Sequence, residues 1–373
     1  MNLYPGLTRE GEAGVMSRFC ALFWWGLAGL SGVGLKATEI GAKASWGERA
    51  LEMADWEWEL GFMGQDLRSE RPAGIVFYEL TSIWPLAGGE LVAEVEGGRI
   101  DDDKNTPDRV EDYVFQLNQL REESALKVGK TVWFRRWAEG WRTGVGRFAP
   151  ESHLDKVSYA SDKTGRFIAR PFVRPTAVAD PGTGLGALVS REFGDGSRIL
   201  YLVNDANGTA RLSPVRTLRG EWFHAVEWRA RWAPGQVSRM IPWFTERGGR
   251  EAHGVSASYE VGLGGGWGAF VRGGTEQGGL ARTSKLVAGG LEWAPGEDWR
   301  LGLALGWGAD GADRRRETLS EVYARKELGH GVAAGVHLQT SQRERERSGR
   351  EQEFNLTVRL VYAGKIKRSE KAR

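Results

Sequence analysis

Trp299-Arg300-Leu301-Gly302-Leu303-Ala304-Leu305-Gly306-Trp307 alternates without a break: odd positions are Trp or Leu, and even positions are Arg, Gly or Ala. Successive side chains of a β-strand point to opposite faces, so this segment has one bulky apolar face and one small or charged face. A helix would instead repeat its apolar residues every three or four positions. The last such stretch is equally regular, with Phe354, Leu356, Val358, Leu360 and Tyr362 alternating with Asn355, Thr357 and Arg359. Near the start, Trp56, Trp58, Leu60 and Phe62 alternate with Glu57, Glu59 and Gly61.

Carried along the chain, the same period predicts sixteen strands: 56–63, 75–84, 89–98, 111–122, 125–134, 185–193, 197–204 and 222–232, then 236–246, 253–263, 267–273, 284–294, 299–308, 318–328, 331–341 and 353–362. A soluble sandwich shows the same alternation, so the connectors decide. Pro85–Gly88, Glu123-Ser124, Gly194–Gly196, Ala233–Gly235, Gly264–Gly266, Pro295–Asp298 and Gly329-His330 are short, and the connectors between them are longer and charged. Short and long strictly alternate, as the periplasmic turns and outer loops of outer-membrane barrels do. Apolar faces that begin and end in Trp or Tyr match the aromatic girdles of such barrels. The fold class expected is therefore all-β: a transmembrane antiparallel barrel of about sixteen strands over residues 56–362. A segment 45–55 precedes it and a basic tail 363–373 follows.

With Trp and Leu turned to lipid, the inward set includes Glu57, Glu59, Gln116, Asn118, Lys127, Glu227, Arg229, Arg231, Arg272 and Arg359. A soluble barrel would reverse this. Sixteen strands enclose an aqueous lumen, whereas about eight would be filled by side chains.

Composition agrees. The 373 residues hold 53 Gly and 17 Trp, suited to tight turns and to membrane interfaces respectively. Charge is nearly balanced, with 51 Lys+Arg against 49 Asp+Glu, which excludes a nucleic-acid binder with its large basic excess. Arg18 precedes the uncharged run Phe19–Leu35, and Ala42-Lys43-Ala44 follows, so residues 1–44 read as a cleaved secretory signal, with Met16 as an alternative start. Cys20 lies in that segment and no cysteine follows it, leaving no thiolate metal site or disulfide beyond it.

Four patches resemble the carbohydrate-selective porin (OprB-like) family. They are Trp46–Leu51, the hairpin from Phe115-Gln116-Leu117 to Leu126–Lys130, Trp222–Trp228 with Ala233-Pro234-Gly235, and Trp267–Gly274. The resemblance implies a 16-stranded outer-membrane barrel that passes sugars, with charged and aromatic residues at a constriction. The end of the chain, Lys365-Ile366-Lys367-Arg368, departs from the family's terminal aromatic residue.

Residues 135–184 are read as the longest connector, a loop lining the constriction with Trp137, Trp141, Arg142 and Arg147. Flat aromatics offer a surface to the C–H face of a sugar, and Arg hydrogen-bonds its hydroxyls. The second candidate group is the inward set Glu227, Arg229, Arg231 and Arg272, with Glu59 and Lys127 beside it, since charge rings set solute preference in pores. Their alternative role is to pair across the wall and hold the barrel's shape.

No H-E-x-x-H, G-x-S-x-G or phosphate-binding glycine loop occurs, and the expectation is a non-enzyme without cofactor. Asp101–Asp108 resembles a calcium loop but lacks its Glu at the twelfth position, where Asp112 stands. The expected partners are outer-membrane lipid, lipopolysaccharide (through the Gln342–Arg350 run), small sugars and the barrel assembly machinery. A general or organic-anion porin is the alternative within the same class; an outer-membrane enzyme or a structural surface protein is the alternative outside it.

Overall fold

A computed structural model describes residues 54–65, 73–101, 127–161, 165–208, 220–310, 315–345 and 349–367. Sixteen strands form one closed antiparallel meander: β1 (Asp55–Gln65), β2 (Ala73–Leu86), β3 (Gly89–Asp101), β4 (Lys127–Arg136), β5 (Trp141–Phe148), β6 (Gly184–Glu192), β7 (Arg198–Asp205) and β8 (Trp222–Ala233), then β9 (Gln236–Arg247), β10 (Arg250–Gly264), β11 (Trp267–Gln277), β12 (Lys285–Trp293), β13 (Trp299–Ala309), β14 (Arg315–Gly329), β15 (Val332–Arg345) and β16 (Gly349–Ile366). Each strand pairs with its sequence neighbours, and β1 closes on β16 with Trp56 opposite Ile366, so the sheet has no free edge to satisfy.

Alternation along β13 is borne out by exposure: Leu305 is 59% exposed and Ala304 1%. The outward face is the apolar one. At the short-turn end it carries a tryptophan belt, with Trp56 and Trp84 edge-on at 5.9 Å and Trp267 and Trp293 stacked at 5.4 Å. Two-residue turns close several hairpins at that end. At Ala87-Gly88 and His330-Gly331 both residues have positive φ, the conformation that suits the twist of paired strands.

The structure corrects three expectations about elements. Residues 135–184 are not one loop: Ala138–Gly140 is a tight turn and Trp141–Phe148 is β5. The strand was hidden because its outward face, Trp141, Thr143, Val145 and Arg147, mixes polar with apolar residues. Several outer connectors are shorter than expected, since β9 and β10 run on to a Gly248-Gly249 turn whose glycines both have positive φ. β16 continues past Tyr362 to Ile366, where Lys365 pairs with Glu57. The expected strand 111–122 and the Glu123-Ser124 turn lie outside the described residues.

Between β5 and β6, residues 149–161 and 165–183 turn into the barrel and pack against the wall from inside. Phe167, Phe172 and Ala177 join inward Phe270, Ala288, Leu319 and Tyr323 in one cluster. Leu154, Val178 and Ala179 join Val132, Phe134, Leu188 and Phe223 in another. Ile168 reaches Met63 and Phe77, on β1 and β2. Wall glycines make the room: a Cβ on Gly268 would sit 2.1 Å from the Tyr159 ring, and one on Gly306 would press on Phe172 at 3.1 Å. Gly262, Gly268, Gly274 and Gly306 are thus the negative image of this loop.

Candidate functional site

The inward loop is strapped to the wall by a repeated device. Four of the strands along one half of the barrel, every second one from β8 to β14, each turn a buried glutamate inward onto it. On β8, Glu227 accepts the Asp155 N–H at 2.6 Å; on β10, Glu260 accepts the Ser158 N–H at 2.5 Å. On β12, Glu292 takes the Arg166 side chain at 2.7 Å. On β14, Glu321 accepts the Ile168 and Ala169 N–H groups at 3.0 and 2.9 Å. An ionised acceptor makes each of these a charge-assisted bond.

Each carboxylate is also held by a side chain one or two strands away. Arg198 pairs with Glu227, Arg239 with Glu260 at 2.6 Å, Tyr323 donates to Glu292 at 2.5 Å, and His337 Nδ1 lies 2.8 Å from Glu321. A fifth tie runs the other way, from loop to wall. Asp155 lies 3.1 Å from Arg272 and accepts the Ser258 hydroxyl at 2.5 Å. A buried ion pair is costly unless its geometry is fully satisfied, so these groups hold position more than they add stability.

Loop residues are shifted accordingly. Burial pushes His153 down to about 3, with Lys130 and Lys156 adding repulsion, so it is neutral against Phe134 and Phe148. Burial pushes Asp180 up to about 6, although Arg174 at 3.6 Å and Arg170 pull the other way. Burial also raises Tyr159, with Glu260 and Glu292 adding to the effect.

Beyond the straps, inward charges near the short-turn end divide by sign. β1 to β3 present Glu57, Glu59, Glu79, Glu90, Glu94 and Glu96, with Lys130 of β4 bridging to Glu94 at 3.3 Å. Glu79, Glu94 and Glu96 bring carboxylate oxygens within 4.8 Å of one another, the one such acidic group among the described residues. From β4 to β8 basic residues outnumber acidic ones among the inward charges: Arg136, Arg142, Arg198, Arg229 and Arg231 against Glu192 and Glu227.

The residues singled out from sequence fall into three places. Trp137, Trp141 and Arg147 share the outward parity of β5 and its turn, with Trp137 48% and Trp141 38% exposed; the Trp137 indole donates to Thr143 at 3.0 Å. As constriction residues these three are corrected: the hairpin turns them away from the lumen. Arg142 faces inward, its guanidinium 4.0 Å over Phe134, and Arg229, Arg231 and Glu59 are inward as expected. Glu227 and Arg272 are inward but fully covered by the loop, which makes them holding groups and not channel lining. Lys127 stands opposite Glu96 in the β3–β4 ladder, and Arg359 donates to the Arg166 carbonyl at 3.2 Å. Gln116 and Asn118 lie outside the described residues.

Sequence reasoning missed Glu260, Glu292, Glu321 and His337. Their signal was present: each is a polar group at an inward position of a strand whose outward face is apolar. What the three glutamates touch depends on the path of a loop more than a hundred residues away.

No sequence-family model and no curated protein matches the chain. Solved structures do. OprB of Pseudomonas putida in its high-pH structure has a TM-score of 0.60 at 10% identity, covering 83% of this chain and 93% of that one. OmpT of Vibrio cholerae, an outer membrane protein lacking loop L8 in that structure, has a TM-score of 0.54 at 8% identity, covering 83% of this chain and 99% of that one. The chain shares the porin-type barrel fold with both.

Proposed function

We propose that this protein is an outer-membrane porin for passive diffusion of small polar solutes, with carbohydrates as the leading class. The observation that carries the reading is the β5–β6 connector, fixed inside a sixteen-strand barrel whose inner wall elsewhere carries charged side chains. A barrel meant only as a surface scaffold has no use for a strapped internal loop. An apolar outer face with a tryptophan belt supports the membrane location, and residues 1–44 supply an export signal. Outer-membrane lipid, lipopolysaccharide and the assembly machinery are the partners such a location supplies.

Diffusion through such a passage needs no covalent chemistry from the wall. Hydroxyl-rich solutes exchange hydrogen bonds with water for bonds to guanidinium and carboxylate groups, at little net cost. The resemblance to carbohydrate-selective porins and the structural likeness to Pseudomonas putida OprB both favour sugars. The test is single-channel recording from the refolded chain 45–373 in planar bilayers with glucose and maltooligosaccharides titrated in. Stable conductance with saturable block by sugar is expected. Conductance indifferent to every sugar would reduce the reading to a general porin, and an SDS-resistant barrel without conductance would defeat it.

A further inference from the structure

The basic strip from β4 to β8 has an arrangement that stability alone does not explain. Arg136 stands directly opposite Arg142, and Arg229 stands directly opposite both Arg198 and Arg239. Like charges at directly opposed positions destabilise a sheet. Arg239 is neutralised by Glu260, and Arg198 by Glu227, but the two carboxylates are themselves engaged by loop N–H groups.

The rest of the strip is less balanced. Arg136, Arg142, Arg198, Arg229 and Arg231 face three carboxylates, Glu90, Glu192 and Glu227. Glu192, 62% exposed, sits 3.5 Å from Arg229. Arg136 and Arg198 both lie close enough to repel Arg142, and only Glu90 offsets them. The Arg142 Nε is buried without a hydrogen-bond partner, as is that of Arg198. Stacking on Phe134 fixes the Arg142 guanidinium in one plane, and Ser190 stands opposite Arg142 on β6.

From these observations we infer that Arg136 and Arg142, with Arg198 and Arg229 beside them, form an anion-binding subsite near the short-turn mouth of the lumen, suited to the carboxylate of a sugar acid. The guanidinium fork matches a planar carboxylate, and a pre-oriented fork loses little freedom on binding. Neutral sugars gain only ordinary hydrogen bonds from the same groups. The strip would therefore rank an acidic sugar above a neutral one of equal size. This inference rests on the porin reading and adds to it the class of solute that is favoured.

The test uses the refolded chain 45–373 in planar bilayers, with glucuronate and glucose as the blocking solutes and SDS resistance checked for every variant. Wild type is expected to be half-blocked by glucuronate at a concentration about tenfold below that for glucose, one good charge-assisted pair being worth roughly that factor. R136Q/R142Q is expected to bring the two solutes within about twofold of each other, weakening glucuronate block far more than glucose block. R142K keeps the charge without the fork; an intermediate ratio is expected, and this variant serves if the double substitution does not refold. Conducting channels whose glucuronate-to-glucose ratio is near one in wild type, or is unmoved by both variants, would overturn the subsite and leave the porin reading intact. An SDS-resistant barrel that conducts nothing would overturn both.

Discussion

Removing the Glu321 carboxylate separates the loop from the barrel most cleanly. In the structure this fully buried group accepts the N–H groups of Ile168 and Ala169, both residues 0% exposed, as well as His337 and the Gln339 amide at 3.2 Å. Glu321→Ala leaves two buried backbone donors without an acceptor, at about 1–3 kcal/mol each, so roughly 2–6 kcal/mol is lost locally. The barrel's sixteen-strand ladder is untouched, and the straps at Glu227, Glu260 and Glu292 remain. The loss therefore falls on residues 165–173 as local release, not global unfolding. The Arg166–Phe167 bond lies in that segment and is its one trypsin-sensitive bond, since Pro171 and Pro175 follow Arg170 and Arg174, so cleavage after Arg166 reports the release directly. Detergent-solubilised E321A is expected to be cut there while keeping its SDS-resistant mobility, and its single-channel current is expected to become noisy. Glu321→Gln retains one carbonyl acceptor and should fall between. A variant E321A as trypsin-resistant and as quiet as wild type would refute the strap.

Other consequences follow from the same geometry. Asp180 has its pKa raised to about 6 in the folded state against 3.8 unfolded. The docking it supports is therefore fully present below about pH 4 and is lost as pH rises through about 6, by up to roughly 3 kcal/mol; single-channel current should become noisier between pH 4 and 7, and D180N should flatten that profile. Gly268→Val places a side chain where the Tyr159 ring lies, 2.1 Å from the Cβ position, at about 1–3 kcal/mol of overpacking. Its conductance should change with the barrel intact, and adding Tyr159→Ala should restore it. Trp137→Ala with Trp141→Ala should leave solute block within about twofold of wild type, because both rings face out; the visible effect should be slower insertion into bilayers, since such rings anchor at the interface.

The barrel was legible because strand alternation and turn length are local properties. Trp299–Trp307 states its two faces within nine residues, and Ala87-Gly88 states its turn within two. The place where local reading failed, β5, is one where the inward side chains are Arg142, Gly144, Gly146 and Phe148. The pattern is blurred because Thr143 and Arg147 interrupt the outward face while Phe148 sits inward, and Gly144 leaves room for Phe134, a fact held by another strand. Loop and wall share this difficulty: Glu321 and Ile168 meet across 153 positions, and no spacing rule joins them.

The inward charges show why a list of lumen-facing residues does not give a selectivity filter. By parity alone Glu227, Arg229, Arg231 and Arg272 are equivalent, four charges on the inner face of neighbouring parts of the wall. Coverage by the loop divides them. Glu227 and Arg272 are buried and held against Asp155, whereas Arg229 keeps 26% of its side chain exposed and Arg142, on β5, remains partly open. A permeating solute can exchange hydrogen bonds only with groups that water reaches, so the covered charges fix the width of the passage and the open ones choose what crosses it. Substituting the first kind should alter conductance for every solute together, and substituting the second should alter the ratio between solutes at nearly constant conductance.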